Sequence, residues 1–415
     1  MSDITLTPKQ QEAVQVAITH PRVLITGGAG SGKTTVIKSI VLALKAQDRN
    51  PVLTSPTGKA AARVREATGF PAFTVHSACG FFPVDDGDGG LGTTERPPLV
   101  ATATDVIVDE ASMLDDQVLA GLCQRLKATS RLILVGDPNQ LPPVGAGYPF
   151  RDLIASGKVP HVHLDVCHRQ DGQLLNNCYA VLAGDHSKLV YDAGKDGRAT
   201  ADWGVIECSD EGITLGLTKL FANGECEKAL GVAPEKLLVL VPINKGPLGR
   251  IYLNRVIQKS YHETRGRKAP EYKDLTTGAD RFVPGDRVIW TKNDRDLGLV
   301  NGDTGTVKGV GEKDVVVEWD GLGVKKVDAG QYLSLAWVLT CHKAQGSQYD
   351  TTVVVQAGAH VNKYLDGIIN RSWLYTAATR SKRATFFLGS ASAFRKHVST
   401  KVVDRRQTYL SDLLA

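Results

Sequence analysis

Gly27-Gly28-Ala29-Gly30-Ser31-Gly32-Lys33-Thr34-Thr35 carries the spacing G-x-x-x-x-G-K-[ST] of a phosphate loop. Glycines let such a backbone curl until successive N–H groups face one point, and a following helix turns its positive dipole end toward it. Both flanks fit. Val23 to Thr26 is a short apolar run that predicts a strand, and Val36 to Leu44 predicts a helix. The segment Gly27 to Thr35 is therefore expected to cradle a nucleoside triphosphate, ATP with Mg²⁺. Lys33 would reach the β- and γ-phosphates and the Thr34 hydroxyl would ligate the metal.

Outward from the loop, strands are predicted at 23–26, 51–55, 105–109 and 132–136, alternating with helices in the pattern of a parallel, doubly wound sheet. Phe81 to Pro98, rich in Gly, Asp and Pro, has to leave that sheet as an excursion. A second α/β pattern starts at Leu237 to Val241 and ends at Ala384 to Leu388. Inside it, residues 287–290, 304–310, 315–319 and 324–327 read as short strands of a small inserted β-barrel. Residues 171–235 read as mainly helical with loops. The fold class expected is α/β, with parallel-sheet domains at 1–165 and 166–415. The first carries an insertion at 78–101 and the second one at 280–335.

A chain of 415 residues is too long for one core, and 42% hydrophobic with 22% charged residues is the balance of a globular protein. No apolar run is long enough to span a membrane, and the start of the chain lacks the basic and apolar regions of a secretion signal. Seven cysteines without a C-x-x-C pair predict reduced thiols in a cytosol rather than a zinc site or a disulfide framework. A net charge of +5 permits a polyanionic partner without demonstrating one.

Asp109-Glu110 follows the apolar run Val106-Ile107-Val108, as a Walker B pair should: Asp109 to hold Mg²⁺, Glu110 to orient the attacking water. Gly136-Asp137-Pro138-Asn139-Gln140 closes the fourth strand, and Gln140 is placed to sense the γ-phosphate or that water.

With these motifs in order, the chain resembles the superfamily 1B DNA helicases of the RecD-like and Dda-like branch. Leu6 to Ala13 resembles their Q motif and Ser55 to Arg63 their motif Ia, while Thr74-Val75-His76-Ser77 is similar to the next strand-contacting motif. Val108 to Met113 resembles motif II, Gly136 to Val144 motif III, and Leu164 to Gln170 motif IV. Val241 to Gly249, with Leu253-Asn254, resembles the RecD-type start of the second motor domain. Phe282 to Val288, with Asn301-Gly302-Asp303, resembles its inserted barrel. Thr340 to Gln348 resembles motif V and Leu374 to Arg380 motif VI. Nearly the whole chain is covered.

The resemblance implies two RecA-like domains with ATP in the cleft between them, where Arg169 and Arg380 neutralise charge in phosphoryl transfer. Gln10 would read the adenine, and Gly346 would lie on the nucleotide side of motif V. The track implied is single-stranded DNA or a single-strand/duplex junction, contacted by Thr57, Lys59, Thr74, His76, Thr340, His342 and Lys343. Such phosphate contacts position a strand without reading it. His342 beside Lys343 would also suit a general base, though motif context favours strand contact. Trp290 and Trp337 are candidates for base stacking, with a place in the barrel core the stronger reading for Trp290. Phe81 and Phe82 fall where this branch carries a duplex-splitting hairpin; they either form that pin or pack inward. Arg380 to Arg406, with eight Lys or Arg against one Asp, either extends the DNA face or is a solvated basic helix.

The function implied is an ATP-dependent helicase moving 5′→3′ on single strands, active as a monomer in the cytoplasm of a bacterial or phage-infected cell. Replication or recombination proteins are possible partners. Two alternatives stand beside it: a translocase that strips proteins from single strands, and a motor subunit that needs a partner to unwind. Backbone contacts also leave RNA open as a track.

Overall fold

The computed structural model describes residues 5–83, 91–93, 97–165, 173–189, 202–294, 296–330, 332–356 and 368–400, with positions 408, 410 and 413. It divides near residue 170 into two compact units. In chain order the first has strands β1 (Arg22–Gly27), β2 (Pro51–Ser55), β3 (Ala72–Thr74), β4 (Phe81–Pro83), β5 (Leu91–Thr93), β6 (Asp105–Val108), β7 (Arg131–Gly136) and β8 (His161–Leu164). Six of them form one sheet in the order β3-β2-β6-β7-β1-β8, parallel throughout; β4 and β5 are a separate antiparallel pair.

Alternation along β1 shows why the sheet is covered on both faces. Val23 and Ile25 join a core under the helices Pro8–Thr19 and Lys33–Lys45. Leu24 points the other way, into a core with the helices Val75–Cys79 and Asp116–Arg125. Strands buried on two faces read as near-continuous apolar runs, and β1, β2, β6 and β7 are legible in the sequence for that reason. The edge strand β8 alternates exposed His161 and His163 with buried Val162 and Leu164.

The second unit has β9 (Trp203–Glu207), β10 (Leu237–Val241), β11 (Arg287–Trp290), β12 (Thr304–Val310), β13 (Asp314–Trp319), β14 (Gly323–Asp328), β15 (Leu333–Leu335), β16 (Val338–Thr340), β17 (Tyr349–Val355) and β18 (Ser381–Gly389). A five-stranded parallel sheet runs β16-β10-β17-β18-β9. The described part of residues 171–235 is mainly helical, as expected, with one strand that the sequence reading missed: Trp203–Glu207, pairing as an edge with β18. The insertion is a five-stranded antiparallel sheet, β14-β13-β12-β11-β15, around its own core of Val288, Trp290, Val307, Val317, Trp319 and Leu335. Trp290 packs there edge-on to Trp319, as expected of a core residue. Trp337 does not serve as a stacking platform. It is fully buried between Tyr261 and Phe221, at ring separations of 4.5 and 5.7 Å.

The helix Arg250–Glu263 ties the insertion to the parallel sheet. Buried Asn254 donates to the Val338 carbonyl at 2.8 Å and accepts from the Val338 N–H at 3.0 Å. The Arg255 guanidinium, fully buried, donates to the carbonyls of Asp274, Thr277, Gly278 and Ala279 and lies 4.4 Å over the Tyr272 ring. An orphaned buried backbone group costs about 1–3 kcal/mol. Asn254→Ala, which removes the partner of two, is expected to lower the stability of the second unit by about 2 kcal/mol or more. Urea unfolding followed by tryptophan fluorescence reads this, because all five tryptophans lie buried in this unit, three of them in its two cores.

Candidate nucleotide and strand site

Gly30 and Gly32 both sit at φ 83°, the left-handed region where a side chain is strained. Gly32 is the N-cap of the helix Lys33–Lys45 and provides no side-chain cap, so the first N–H groups of that helix are left for an anion. The Lys33 ammonium donates to the carbonyls of Gly27 (2.7 Å) and Gly28 (2.9 Å), which holds it inside the curl of the loop. A Cβ on Gly27 would lie 2.4 Å from Ser31 Oγ, so a side chain at the first residue of the loop would force Ser31 to move. Thr34 and Thr35 open the helix, half-buried.

Gln10 reaches the loop through a capping box. Its Oε1 accepts from the Thr7 N–H at 3.0 Å, the Thr7 hydroxyl accepts from the Gln10 N–H, and Gln10 Nε2 donates to the Ser31 carbonyl at 3.1 Å. The first helix is thereby fastened to the loop. Sequence reading gave Gln10 a base to recognise and missed this clamp, whose signal is the Thr7-x-x-Gln10 pattern.

Asp109 and Glu110 close β6 almost out of solvent. Asp109 Oδ1 accepts the Glu110 N–H at 2.9 Å. Burial, and next the Glu110 carboxylate, raise the Asp109 pKa to about 6, while Lys33 pulls it back. Glu110 takes φ 54°, one of two non-glycine residues with positive φ among those described, and its buried Oε2 has no hydrogen-bond partner. A strained backbone and an orphaned carboxylate oxygen together mark a functional position. A metal ion beside Asp109 would relieve both burial and repulsion, so the residues present fit a Mg²⁺-bound triphosphate. Gln140 is buried at the end of the β7 turn, with Nε2 toward Asp137 Oδ2 at 3.5 Å.

The strand-contact candidates of the first unit lie at helix starts after neighbouring strands. Thr57 and Thr74 are N-caps whose hydroxyls accept from the Ala60 and Ser77 N–H groups, leaving each O–H free in direction to donate. Lys59 and His76 are half-buried, and burial lowers the His76 pKa against the pull of Asp115. Phe81 packs inward rather than standing out as a pin. Its ring lies under the Arg125 guanidinium at 4.5 Å, against the core, and a Cβ on Gly121 would lie 2.7 Å from it. The Phe82 side chain lies outside the described residues.

In the second unit, Thr340 ends β16 and its hydroxyl accepts from the Lys343 N–H at 3.4 Å. His342 and Lys343 are exposed; surrounding protein, then Arg250, hold the Lys343 ammonium below the usual lysine range, with Asp280 opposing. Gly346 turns at φ 75°. Arg380 is buried, donating to the carbonyls of Thr376 and Ser347 and to the Thr379 hydroxyl. Arg169 lies outside the described residues.

A phosphate loop on an interior strand of a parallel sheet, with a buried acidic pair on a nearby strand, defines a P-loop nucleotide-binding protein with a second parallel-sheet unit. Residues 5–204 match the AAA domain family and residues 335–388 the UvrD-like helicase C-terminal domain. The chain is 33% identical to the ATP-dependent RecD2 DNA helicase of Deinococcus radiodurans, over 94% of its own length and 50% of that protein's. It is 28% identical to the RecBCD enzyme subunit RecD of Mycolicibacterium smegmatis, over 95% of this chain and 73% of that one. Its fold follows the Pif1 helicase from Bacteroides solved with ADP-AlF3 and ssDNA: TM-score 0.60, 18% identity, 96% of this chain and 95% of that one. Together these matches support a RecD-like helicase of superfamily 1B. It spans half the length of the Deinococcus relative.

With Phe81 packed on the core, Phe81→Ala is expected to lower the stability of the first unit by about 2 kcal/mol, discounted for partial burial. ATP turnover and any duplex opening should fall together as this unit unfolds. Thermal unfolding beside both assays checks it; lost duplex opening at unchanged stability would restore the pin.

Proposed function

We propose that the chain is an ATP-driven motor that moves 5′→3′ along single-stranded DNA and opens duplex ahead of it. The observation that carries the motor reading is the pairing, in one chain, of the phosphate-loop unit with a second parallel-sheet unit whose strand ends bear the Thr340–Gly346 turn and Arg380. Direction rests on the RecD-like and Dda-like character of motif Ia and of the inserted sheet. The proposed domains are 1–165 and 166–415, with the β4–β5 pair and the five-stranded sheet as their insertions.

Bound Mg²⁺-ATP supplies the phosphoryl group whose hydrolysis drives the motor. In this reading the N–H groups at Gly28 to Thr35 and the Lys33 ammonium bind the phosphates, and Thr34 and Asp109 hold the metal. The Glu110 carboxylate, with its Oε2 uncommitted, orients water and takes its proton. Gln140 senses the same point, and Arg169 and Arg380 provide compensating positive charge. Gln10 keeps the loop in shape through Ser31, and its second amide hydrogen and second lone pair serve the adenine. Thr57, Lys59, Thr74, His76, Thr340, His342 and Lys343 hold the strand by its phosphates, and Gly346 gives motif V its turn. No helix of the described residues is long and apolar enough to cross a membrane, and the cytoplasm is the proposed place of work.

One relative is named as a RecBCD subunit, and that favours a second reading, a motor that opens duplex with a partner bound. Two partial duplexes, one with a 5′ and one with a 3′ single-stranded tail, tested with ATP turnover in the same tubes, separate the readings. Opening of the 5′-tailed substrate alone is expected. Opening of the 3′-tailed one refutes the direction, and turnover without opening supports the partner-dependent motor. Glu110→Gln is expected to slow turnover by about 10²-fold or more. Its affinity for a non-hydrolysable ATP analogue, read by fluorescence titration, should stay within about threefold, a change below 1 kcal/mol.

A further inference from the structure

The parallel strands β10 and β16 lie side by side, with Val241 opposite Thr340 at their ends. The loop 242–249 and the turn 341–347 therefore leave the sheet together, at the carboxyl ends where open α/β sheets take their ligands. That loop leads into the helix Arg250–Glu263, which is fixed at two heights. Asn254 Nδ2 donates to the Arg250 carbonyl (2.9 Å) and to the Val338 carbonyl (2.8 Å). Near the far end, His262 Nε2 is bonded to Asp286 Oδ1 at 2.8 Å. Arg250 is thereby held one turn above Asn254, on the side of the Thr340–Lys343 turn.

The helix start does not itself offer N–H groups to an anion. Those of Arg250 and Ile251 donate to the carbonyls of Ile243 and Asn244 at 3.0 and 3.1 Å, and a Cβ on Gly249 would lie 2.5 Å from the Lys245 carbonyl carbon. This tight loop presents side-chain charge instead. Half-buried Arg250 donates from Nε to Asn244 Oδ1 at 3.0 Å, which commits that oxygen and leaves the exposed Asn244 amide nitrogen to donate. Among the described residues neither Arg250 nor Lys343 enters an ion pair. Burial, before any charge, holds both below their usual ranges; Arg250 adds to the effect on Lys343, Arg255 adds to that on Arg250, and Asp280 opposes in each case. Asp280 is already in use, with Oδ1 facing Arg255 at 3.5 Å and Oδ2 accepting the Leu335 N–H at 3.0 Å.

We infer that Arg250 and Lys343 grip one backbone phosphate of the single strand between them, with the Asn244 amide as a third donor. This rests on the motor reading, which already gives Thr340, His342 and Lys343 of the adjoining turn to the strand, and it adds Arg250 as a strand-binding residue. Two cations that repel each other, partly removed from water, are stabilised by one shared anion. All three groups donate and none accepts, as the oxygens of a phosphodiester require. The guanidinium fork fixes where the phosphate sits, and the ammonium adds charge without geometry.

The test is the binding of a labelled dT oligonucleotide to the full chain without nucleotide, read by fluorescence anisotropy over a series of salt concentrations. R250Q is expected to weaken binding by about tenfold. R250Q/K343Q is expected to lose less than the two single losses combined, and to make log K against log salt shallower by about 0.7 in all, the share of one phosphate on a single strand. R250K, which keeps the charge, should recover most of the affinity. Where thermal unfolding shows R250Q to be destabilised, R250M, which keeps the packed stem, takes its place with the same expected loss. Additive losses with twice that change in slope put the two cations on separate phosphates and overturn the inference. So do unchanged binding by R250Q, lost affinity at unchanged slope in the double variant, and an equal loss of affinity for a non-hydrolysable ATP analogue. A parent chain that does not bind the oligonucleotide refutes the strand reading itself, and this inference with it.

Discussion

The double left-handed turn at Gly30 and Gly32 is the constraint on which the first unit depends. It aims uncapped N–H groups at one point, and other parts are set to that point: Lys33 through the loop carbonyls, Gln10 through Ser31, and the acidic pair through the end of β6. The sheet order serves the same purpose. With β1 between β7 and β8, the loop leaves from the interior of a sheet covered on both faces, so its anchor is among the least deformable parts of the unit.

Strain in this site is confined to where chemistry is proposed. Glu110 takes a backbone conformation that costs a non-glycine residue of order 1–3 kcal/mol, and it leaves a carboxylate oxygen buried and unanswered. Asp109 is pushed toward neutrality by the same crowding. The buried Arg380, by contrast, is answered within its own unit by carbonyls and a hydroxyl.

Much of this was legible from residues alone because the signals were redundant. The phosphate loop has fixed spacing, and β1, β2, β6, β7 and β10 are apolar runs that only a two-sided burial requires. Most strands that went unread are short or at edges: β3 and β15 have three residues each, β8 exposes two of its four and β9 two of its five; β17, seven residues long at the centre of the second parallel sheet, also went unread. Side-chain direction was the harder problem. Trp337 sits three residues before motif V, yet it closes a core with Phe221 and Tyr261, which lie far from it in the chain. Phe81 begins a hairpin but is held by Arg125 and Gly121, and nothing local to Phe81 announces either. The His262–Asp286 pair was equally silent, since it depends on a helix end meeting an inserted loop.

Arg255 holds the loop 274–279 mainly by its carbonyls, with the Asp280 carboxylate following at 3.5 Å. Any residue provides a carbonyl, so the grip is indifferent to which amino acids occupy the loop so long as they can follow its path. The cost of error is thereby moved off the loop and onto one guanidinium. Over evolutionary time the loop is free to drift in sequence and present new side chains to the outside, while the single arginine cannot be exchanged, even for lysine, without releasing the whole curve at once.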